Sequence, residues 1–317
     1  MILVTGGTGF IGSLVIKYLL EAGKSVLAIK RKSSIIPQKL QYQPNLFWHD
    51  ADLTDYFSLS DVFNNVSQVY HCAGLVSFDP ADKEKLMKIN VEGTTHIVNL
   101  CLEKKARLLY LSSVAALGDE KGSDYITEKS KWEWSPQKSN YSISKFEAER
   151  EVWRGMAEGL DAVIVNPTVV IGAGNTTNAN QLFNLLEKGL KYYPPGSTGF
   201  VDVDDVANIM IRLMDSLDIK ETSFVINNVN LSYQDLFTKY AVLLKKEPPA
   251  VPATRYLLEL AWRAQSITCR LGLSKSKLTK DIARASLKKN IYSNEKITKT
   301  LDYKFKPLDL SLEEISR

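Results

Sequence analysis

The chain has 317 residues, 44% hydrophobic and 24% charged, with a formal net charge of +4. This composition excludes a disordered or fibrous chain, and the length exceeds what one hydrophobic core usually fills, so two domains or subdomains are expected. Three scattered cysteines (Cys72, Cys101, Cys269) and three histidines (His49, His71, His96) without metal-ligand spacing exclude a disulfide framework and a structural zinc site, and suit the cytoplasm.

Met1–Val4 reads as a buried strand that runs straight into a glycine-rich turn, so the N-terminus is expected in the fold and not in a signal peptide. Phe10–Ala22 reads as a helix with Ile11, Leu14, Val15, Tyr18 and Leu19 on one face and Gly23 as its stop. Further strands are expected at Ser25–Lys30, Leu46–His49, Val66–Cys72, Arg107–Ser112 and Ala162–Asn166. Between them, Thr54 is expected to cap a helix over Asp55–Asn64. Asp79 and Pro80 should open one long helix towards Lys105, and Ser142–Glu158 should form another. Strands alternating with helices predict an α/β fold with a doubly wound parallel sheet of Rossmann type. The boundary is expected near residue 170, with 171–317 a smaller, mostly helical region from which about 200–230 returns to the first sheet.

The second half carries weak strand signals at Gly199–Val203 and Ser223–Ile226, and a capping box at Ser232 and Asp235. Residues 238–306 hold 16 Lys and Arg against 5 Asp and Glu, a net of +11, which leaves −7 for the remainder. This stretch is read as a solvated basic face, without a nucleic-acid module. Within it, Leu257, Leu260, Ala264, Ile267 and Leu271 recur at helical spacing beside Arg255, Arg263 and Arg270. Such a helix can lie on a membrane surface; the reading preferred from sequence is a core-packing helix. No apolar run reaches the roughly 20 residues that span a bilayer, so no integral membrane segment is expected.

Thr5-Gly6-Gly7-Thr8-Gly9-Phe10-Ile11-Gly12 joins the first strand to the first helix. Glycines at these spacings allow a tight turn and close approach of backbone to a pyrophosphate, which the amides at the helix start would hold. The second strand ends in Lys30-Arg31-Lys32, with no acid to take a ribose 2′-hydroxyl. The basic cluster favours NADP over NAD, with NAD still possible.

Tyr141 and Lys145 lie on one helical face, where an ammonium near a phenol would lower its pKa and suit it to proton exchange at a carbonyl or alcohol oxygen. A serine hydroxyl after the fifth strand, at Ser112-Ser113, would point into the ligand crevice. Together with Asp52-Leu53, His71-Cys72-Ala73-Gly74, Asn90 and Asn166-Pro167, these residues occur in the order of the extended short-chain dehydrogenases/reductases, the NAD(P)-dependent epimerase/dehydratase family, which the chain resembles over roughly 1–215.

The resemblance implies that Tyr141 is the general acid/base, that Lys145 holds the nicotinamide ribose, and that Ser113, or failing it Ser112, polarises the substrate oxygen. It implies cofactor contacts from Gly6, Thr8, Gly9, Phe10, Ile11, Gly12, Arg31, Lys32, Asp52, Leu53, Cys72, Ala73, Gly74, Asn90, Ser112, Tyr141, Lys145, Pro167 and Val170, with no metal. His71 is read as a strand-end core residue. Val114-Ala115 stand where the family's dehydratases carry Asp-Glu, which argues against dehydration. Gly196–Gly199 stands where nucleotide-sugar epimerases carry a diphosphate-binding arginine. Val76, Ser77 and Phe78, with Leu117 and Asn166, are expected at the substrate, and Phe183, Tyr192 and Tyr193 are candidates to extend a mostly apolar pocket.

The chain therefore looks like the dihydroflavonol-reductase-like branch, an NADP-dependent oxidoreductase acting on a small, fairly apolar carbonyl or alcohol. A nucleotide-sugar epimerase and a non-catalytic NAD(P)-binding sensor or scaffold are the alternatives. A homodimer through the helices at 80–105 and 142–158 is the family-like expectation.

Overall fold

The computed structural model describes all residues except 121–123, 175–177 and 271–277. In chain order the first half contains β1 (Ile2–Thr5), α1 (Phe10–Glu21), β2 (Val26–Lys30), β3 (Leu46–Asp50), α2 (Tyr56–Ser60), β4 (Gln68–His71), α3 (Lys83–Leu86), α4 (Gly93–Lys104), β5 (Arg107–Leu111), α5 (Asn140–Ala157), β6 (Ala162–Pro167) and β7 (Val169–Ile171). There follow α6 (Asn178–Glu187), β8 (Tyr192–Tyr193), β9 (Ser197–Asp202), α7 (Val203–Asp215), β10 (Thr222–Ile226), β11 (Val229–Ser232), α8 (Tyr233–Leu243), β12 (Val251–Pro252), α9 (Arg255–Arg270), α10 (Lys280–Ala285), α11 (Glu295–Leu301) and α12 (Leu308–Ser316).

Seven parallel strands form one sheet in the order β10-β6-β5-β4-β1-β2-β3. All five residues of β5 and all six of β6 are buried, as a sheet covered on both faces requires. On one face Val15, Ile16 and Leu19 of α1 pack with Val206, Met210 and Leu213 of α7. On the other, Ile97, Val98 and Cys101 of α4 pack with Ala148 and Val152 of α5. The order reverses between β1 and β4, and the crevice at that switch point, outside the carboxyl ends of the strands, is where such a sheet binds ligands. This is the Rossmann-type α/β architecture.

Arg107 locks this layer. Buried at the start of β5, it donates to both carboxylate oxygens of Asp161 at 2.8 Å and to the carbonyls of Leu213 and Ser216, so one side chain satisfies both an ion partner and the end of α7.

The remaining strands form smaller sheets, β11-β9-β7 and β12-β8. The segment around Gly199–Val203 thus adds to the three-stranded sheet, while β10 joins the main one. A second core gathers Phe183, Phe200, Leu236, Phe237 and Tyr240 with Leu308 and Leu312.

Three local expectations change. Asp55, not Thr54, caps α2 by accepting from the Phe57 and Ser58 amides, because Thr54 donates its own hydroxyl to Asp52. The single helix expected from Pro80 to Lys105 is instead a 3-10 turn capped by Asp79, then α3, a π-helical stretch Met87–Glu92, and α4. Finally, the α9 stripe read as core faces outward: Leu257, Leu260, Ala264 and Ile267 are exposed, and Leu258 and Trp262 pack inward in their place. Leu271 lies outside the described residues.

Candidate active site

The turn after β1 is built by glycine. Gly6 has φ +68, and a Cβ there would sit 2.6 Å from the Ala73 nitrogen, so only glycine lets β1 and β4 end this close together. A Cβ on Gly12 would strike the Gly6 carbonyl oxygen. The N-cap of α1 is Gly9, which offers no side chain to the helix amides, and the first turn carries no acid. The start of α1 is therefore an uncapped, positively polarised helix end in a cradle that side chains would fill, and it suits a pyrophosphate. Thr8 and Ile11 are half-buried beside it, and Phe10 reaches towards β7, where a Cβ on Gly172 would lie 3.0 Å from its ring.

At the far end of the crevice, Arg31 and Lys32 follow β2 and are exposed, with no ion pair among the described residues. Lys30 pairs instead with Asp50 at 2.5 Å. Asp52 accepts from the Thr54 amide and hydroxyl, both at 2.9 Å; the amide bond first, and Arg31 less strongly, hold its carboxyl below the usual carboxylate range. Leu53 packs beneath Gly93, and its carbonyl faces the His96 ring.

The carboxyl end of β5 brings the reactive groups together. The Tyr141 phenol hydrogen-bonds with Ser113, which lowers its pKa, but burial outweighs that effect and leaves the phenol above its ordinary value. The expected ammonium–phenol pairing is not the arrangement present. The Lys145 ammonium donates to the Tyr110 hydroxyl at 3.0 Å and the Leu111 carbonyl at 2.8 Å. Burial brings Lys145 down to about 8, partly offset by Glu149. Ser112 is buried and gives its hydroxyl to Glu149 Oε2 at 2.6 Å, whereas Ser113 is half-buried with its oxygen on the Ala115 amide and Tyr141.

Asn90 sits in the π-helical stretch, where such an irregularity re-aims a side chain. Its Oδ1 accepts from the Leu75 amide at 2.7 Å, and its Nδ2 donates to the Leu75 carbonyl and to Ser144. It thereby ties the loop after β4 to the first turn of α5. His71 is fully buried between the Thr5 and Thr94 hydroxyls, and burial pushes it down to about 3, so it is a neutral core residue. Burial likewise pushes the neighbouring Cys72 thiol up to about 12. Ala73 donates its amide to Thr5, and a Cβ on Gly74 would touch Asn90 Oδ1 at 3.4 Å and Lys145 Nζ at 4.0 Å, so the backbone here lies against both side chains.

The residues expected at the substrate divide. The Phe78 ring meets the Tyr141 ring edge-on at 5.5 Å. Val76 is exposed nearby in the chain, and Ser77 donates its hydroxyl to Asp82. Leu117 is buried with Ile126, Val225 and Tyr292, so it is core. Asn166 is fully buried and donates to the Ser113 carbonyl and to Glu149, which makes it a support for the serine. Pro167 closes β6, and Val170 is half-buried on β7. Phe183 belongs to the second core against Tyr240, and Tyr192 is exposed.

Sequence reading missed Tyr110 and Glu149. Glu149 follows Tyr141 and Lys145 at the same helical spacing, and that repeat was the available signal. One group of three carboxylates among the described residues, Asp202, Asp204 and Glu314, surrounds a side-chain cation already, since Lys306 Nζ contacts each of them.

Residues 2–227 match the NAD dependent epimerase/dehydratase family. The chain is 33% identical over 235 residues to tetraketide alpha-pyrone reductase 2 of Arabidopsis thaliana, covering 67% of this chain and 73% of that protein. It is 30% identical over 250 residues to anthocyanidin reductase of the same plant, covering 69% and 72%. A solved structure, the crystal structure of gox2253, superposes with a TM-score of 0.84 at 27% identity over 100% of this chain and 96% of that one. The uncapped glycine cradle and the Ser113–Tyr141–Lys145 cluster thus stand in an extended short-chain dehydrogenase/reductase, a nicotinamide-dependent oxidoreductase, and the chain belongs to the NAD-dependent epimerase/dehydratase family.

Proposed function

We propose that the protein transfers a hydride between NADP and a carbonyl or alcohol carbon of a small, largely apolar substrate, with Tyr141 as general acid/base. The observation that carries this reading is the Tyr141 phenol, held by Ser113 and edged by the Phe78 ring at the carboxyl end of β5. Gly6, Thr8, Gly9, Phe10, Ile11 and Gly12 would hold the pyrophosphate, Asp52 and Leu53 the adenine, and Arg31 and Lys32 a 2′-phosphate. Cys72, Ala73, Gly74, Pro167 and Val170 would line the path to the nicotinamide, which when bound supplies or accepts the hydride.

The chain's own residues manage the proton. The Tyr141 phenol, which burial raises above its ordinary value, is protonated near neutral pH, the form that donates to a carbonyl oxygen during reduction. The Ser113 hydroxyl can polarise the same oxygen. Lys145, at about 8, stays largely cationic at pH 7 and keeps the field of the pocket positive. Asn90, Asn166 and Glu149 position these groups. We further place the protein in the cytoplasm as a homodimer, and the exposed Trp153 on α5 supports an interface there.

The test is turnover of NADPH with aromatic and alicyclic ketones. Wild type should consume NADPH stoichiometrically, and Tyr141→Phe should lose about 10²–10⁴-fold in rate while binding NADPH normally. Near-wild-type turnover by Tyr141→Phe overturns the assignment, and a tightly held nicotinamide with no net consumption would indicate epimerisation.

A further inference from the structure

Helix α9 has two apolar faces. The inner one, Leu258 with Trp262, packs on Ala253, Leu278, Ala283 and Leu287. With 100° between successive residues, Tyr256, Leu257, Leu260, Ala264 and Ile267 share a second arc about 100° wide, with Arg263 at its edge. This outer arc is open to solvent: Tyr256 is 83% exposed, Leu260 65% and Ile267 59%. Just upstream, Val251 and its ladder partner Tyr192 are exposed as well. An apolar face of this extent marks contact with another macromolecule or a membrane.

Charge selects the occupant. The arc lies in the stretch that carries 16 Lys and Arg against 5 Asp and Glu. Arg255 on α9 and Arg284 on the adjoining α10 make no ion pair among the described residues, and Arg263 is mostly exposed, its guanidinium paired with Glu259 of its own helix at 3.2 Å and lying over the Trp262 ring. An apolar arc edged by the exposed Arg263, on a helix that starts at Arg255 and within a stretch of net +11, matches the boundary between acyl chains and anionic headgroups. No helix among the described residues is long and apolar enough to cross a membrane, so the geometry is that of a helix lying on the surface.

We propose that α9 docks the protein on an anionic lipid surface, with Leu260 and Ile267 entering the headgroup–acyl boundary and Arg255 and Arg263 meeting the headgroups.

The test is flotation of the purified full chain with vesicles of phosphatidylcholine alone or mixed with phosphatidylglycerol. Wild type should float with the mixed vesicles, less so as salt rises. Leu260→Asp/Ile267→Asp should reduce the floated fraction about tenfold with unchanged melting temperature and unchanged turnover of a soluble substrate. Arg255→Glu/Arg263→Glu should lose binding to the mixed vesicles likewise. The proposal is overturned if wild type does not float, if the double-aspartate variant floats as wild type does, or if that variant only splits an oligomer, which would assign the face to a second copy of the chain.

Discussion

Ser112 gives its hydroxyl to Glu149 Oε2 over 2.6 Å, and the same carboxylate oxygen accepts from Asn166 at 2.7 Å. Neighbouring serines therefore do different work. Ser112 belongs to a buried polar network beneath the site, while Ser113 faces Tyr141. Ser113→Ala is expected to lower kcat about 10²-fold with little change in melting temperature, as loss of one oxygen-polarising donor does. Ser112→Ala removes a hydrogen bond to a buried charge and is expected to cost about 1.5–3 kcal/mol of stability with a smaller effect on kcat. Parallel kinetics and thermal melts of the two variants decide the matter, and the opposite pattern would move the polarising role to Ser112.

Two glycines of the first βα unit make a second contrast. A Cβ at Gly12 strikes the Gly6 carbonyl, whereas a Cβ at Gly23, with φ +72, meets nothing within 4 Å. Gly23→Ala is expected to cost about 1 kcal/mol from backbone strain alone and to leave cofactor affinity unchanged. Gly12→Ala must push α1 away from β1, so it is expected to weaken NADP(H) binding at least tenfold in a fluorescence titration, beyond its effect on stability. Equal cofactor affinity in the two variants would remove Gly12 from the cradle.

Much of this was legible in the chain. Strands such as Leu108–Leu111 and Val163–Val165 are apolar on both faces, and the glycine run and the Tyr141/Lys145 spacing are local signals that survive folding. What was hidden depends on neighbours distant in sequence. The π-helical stretch around Asn90 has no local signature, because it is selected by Leu75 and Ser144 from other elements. Lys145 pairs with Tyr110 of a neighbouring strand, and helical spacing to Tyr141 could not reveal that preference. On α9 the periodicity located an apolar stripe but not which of two stripes is covered, since the answer rests on α10.

Arg31 bears on the cofactor. It is exposed after β2, makes no ion pair among the described residues, and acts on Asp52 only through its field. If it takes the 2′-phosphate, Arg31→Glu replaces attraction by repulsion at a site that NAD leaves empty. The dissociation constant for NADPH should rise at least tenfold while that for NADH changes little. Equal shifts for both cofactors would return Arg31 and Lys32 to the solvated surface.

The last prediction concerns acid. His71 is neutral and fully buried, and burial holds its pKa at about 3, against 6.5 when unfolded. Between those values the unfolded chain binds a proton that the folded chain refuses, so stability from this residue is present above pH 6.5 and is lost as pH falls towards 3, by at most about 1.4 kcal/mol per pH unit. Asp205 acts in the opposite sense: burial raises it to about 6 from 3.8, so the folded chain gains relative stability as pH falls through that window. A bare melting curve of the wild type sums the two. His71→Asn separates them, because asparagine keeps hydrogen-bonding capacity towards Thr5 and Thr94 and cannot titrate, while Asp205 is untouched. The variant should melt lower at pH 7, where it loses packing, and the gap to wild type should narrow steadily from pH 6.5 downwards. Melting temperatures that stay parallel across this range would mean that His71 has the same pKa folded and unfolded, contrary to its burial between two hydroxyls.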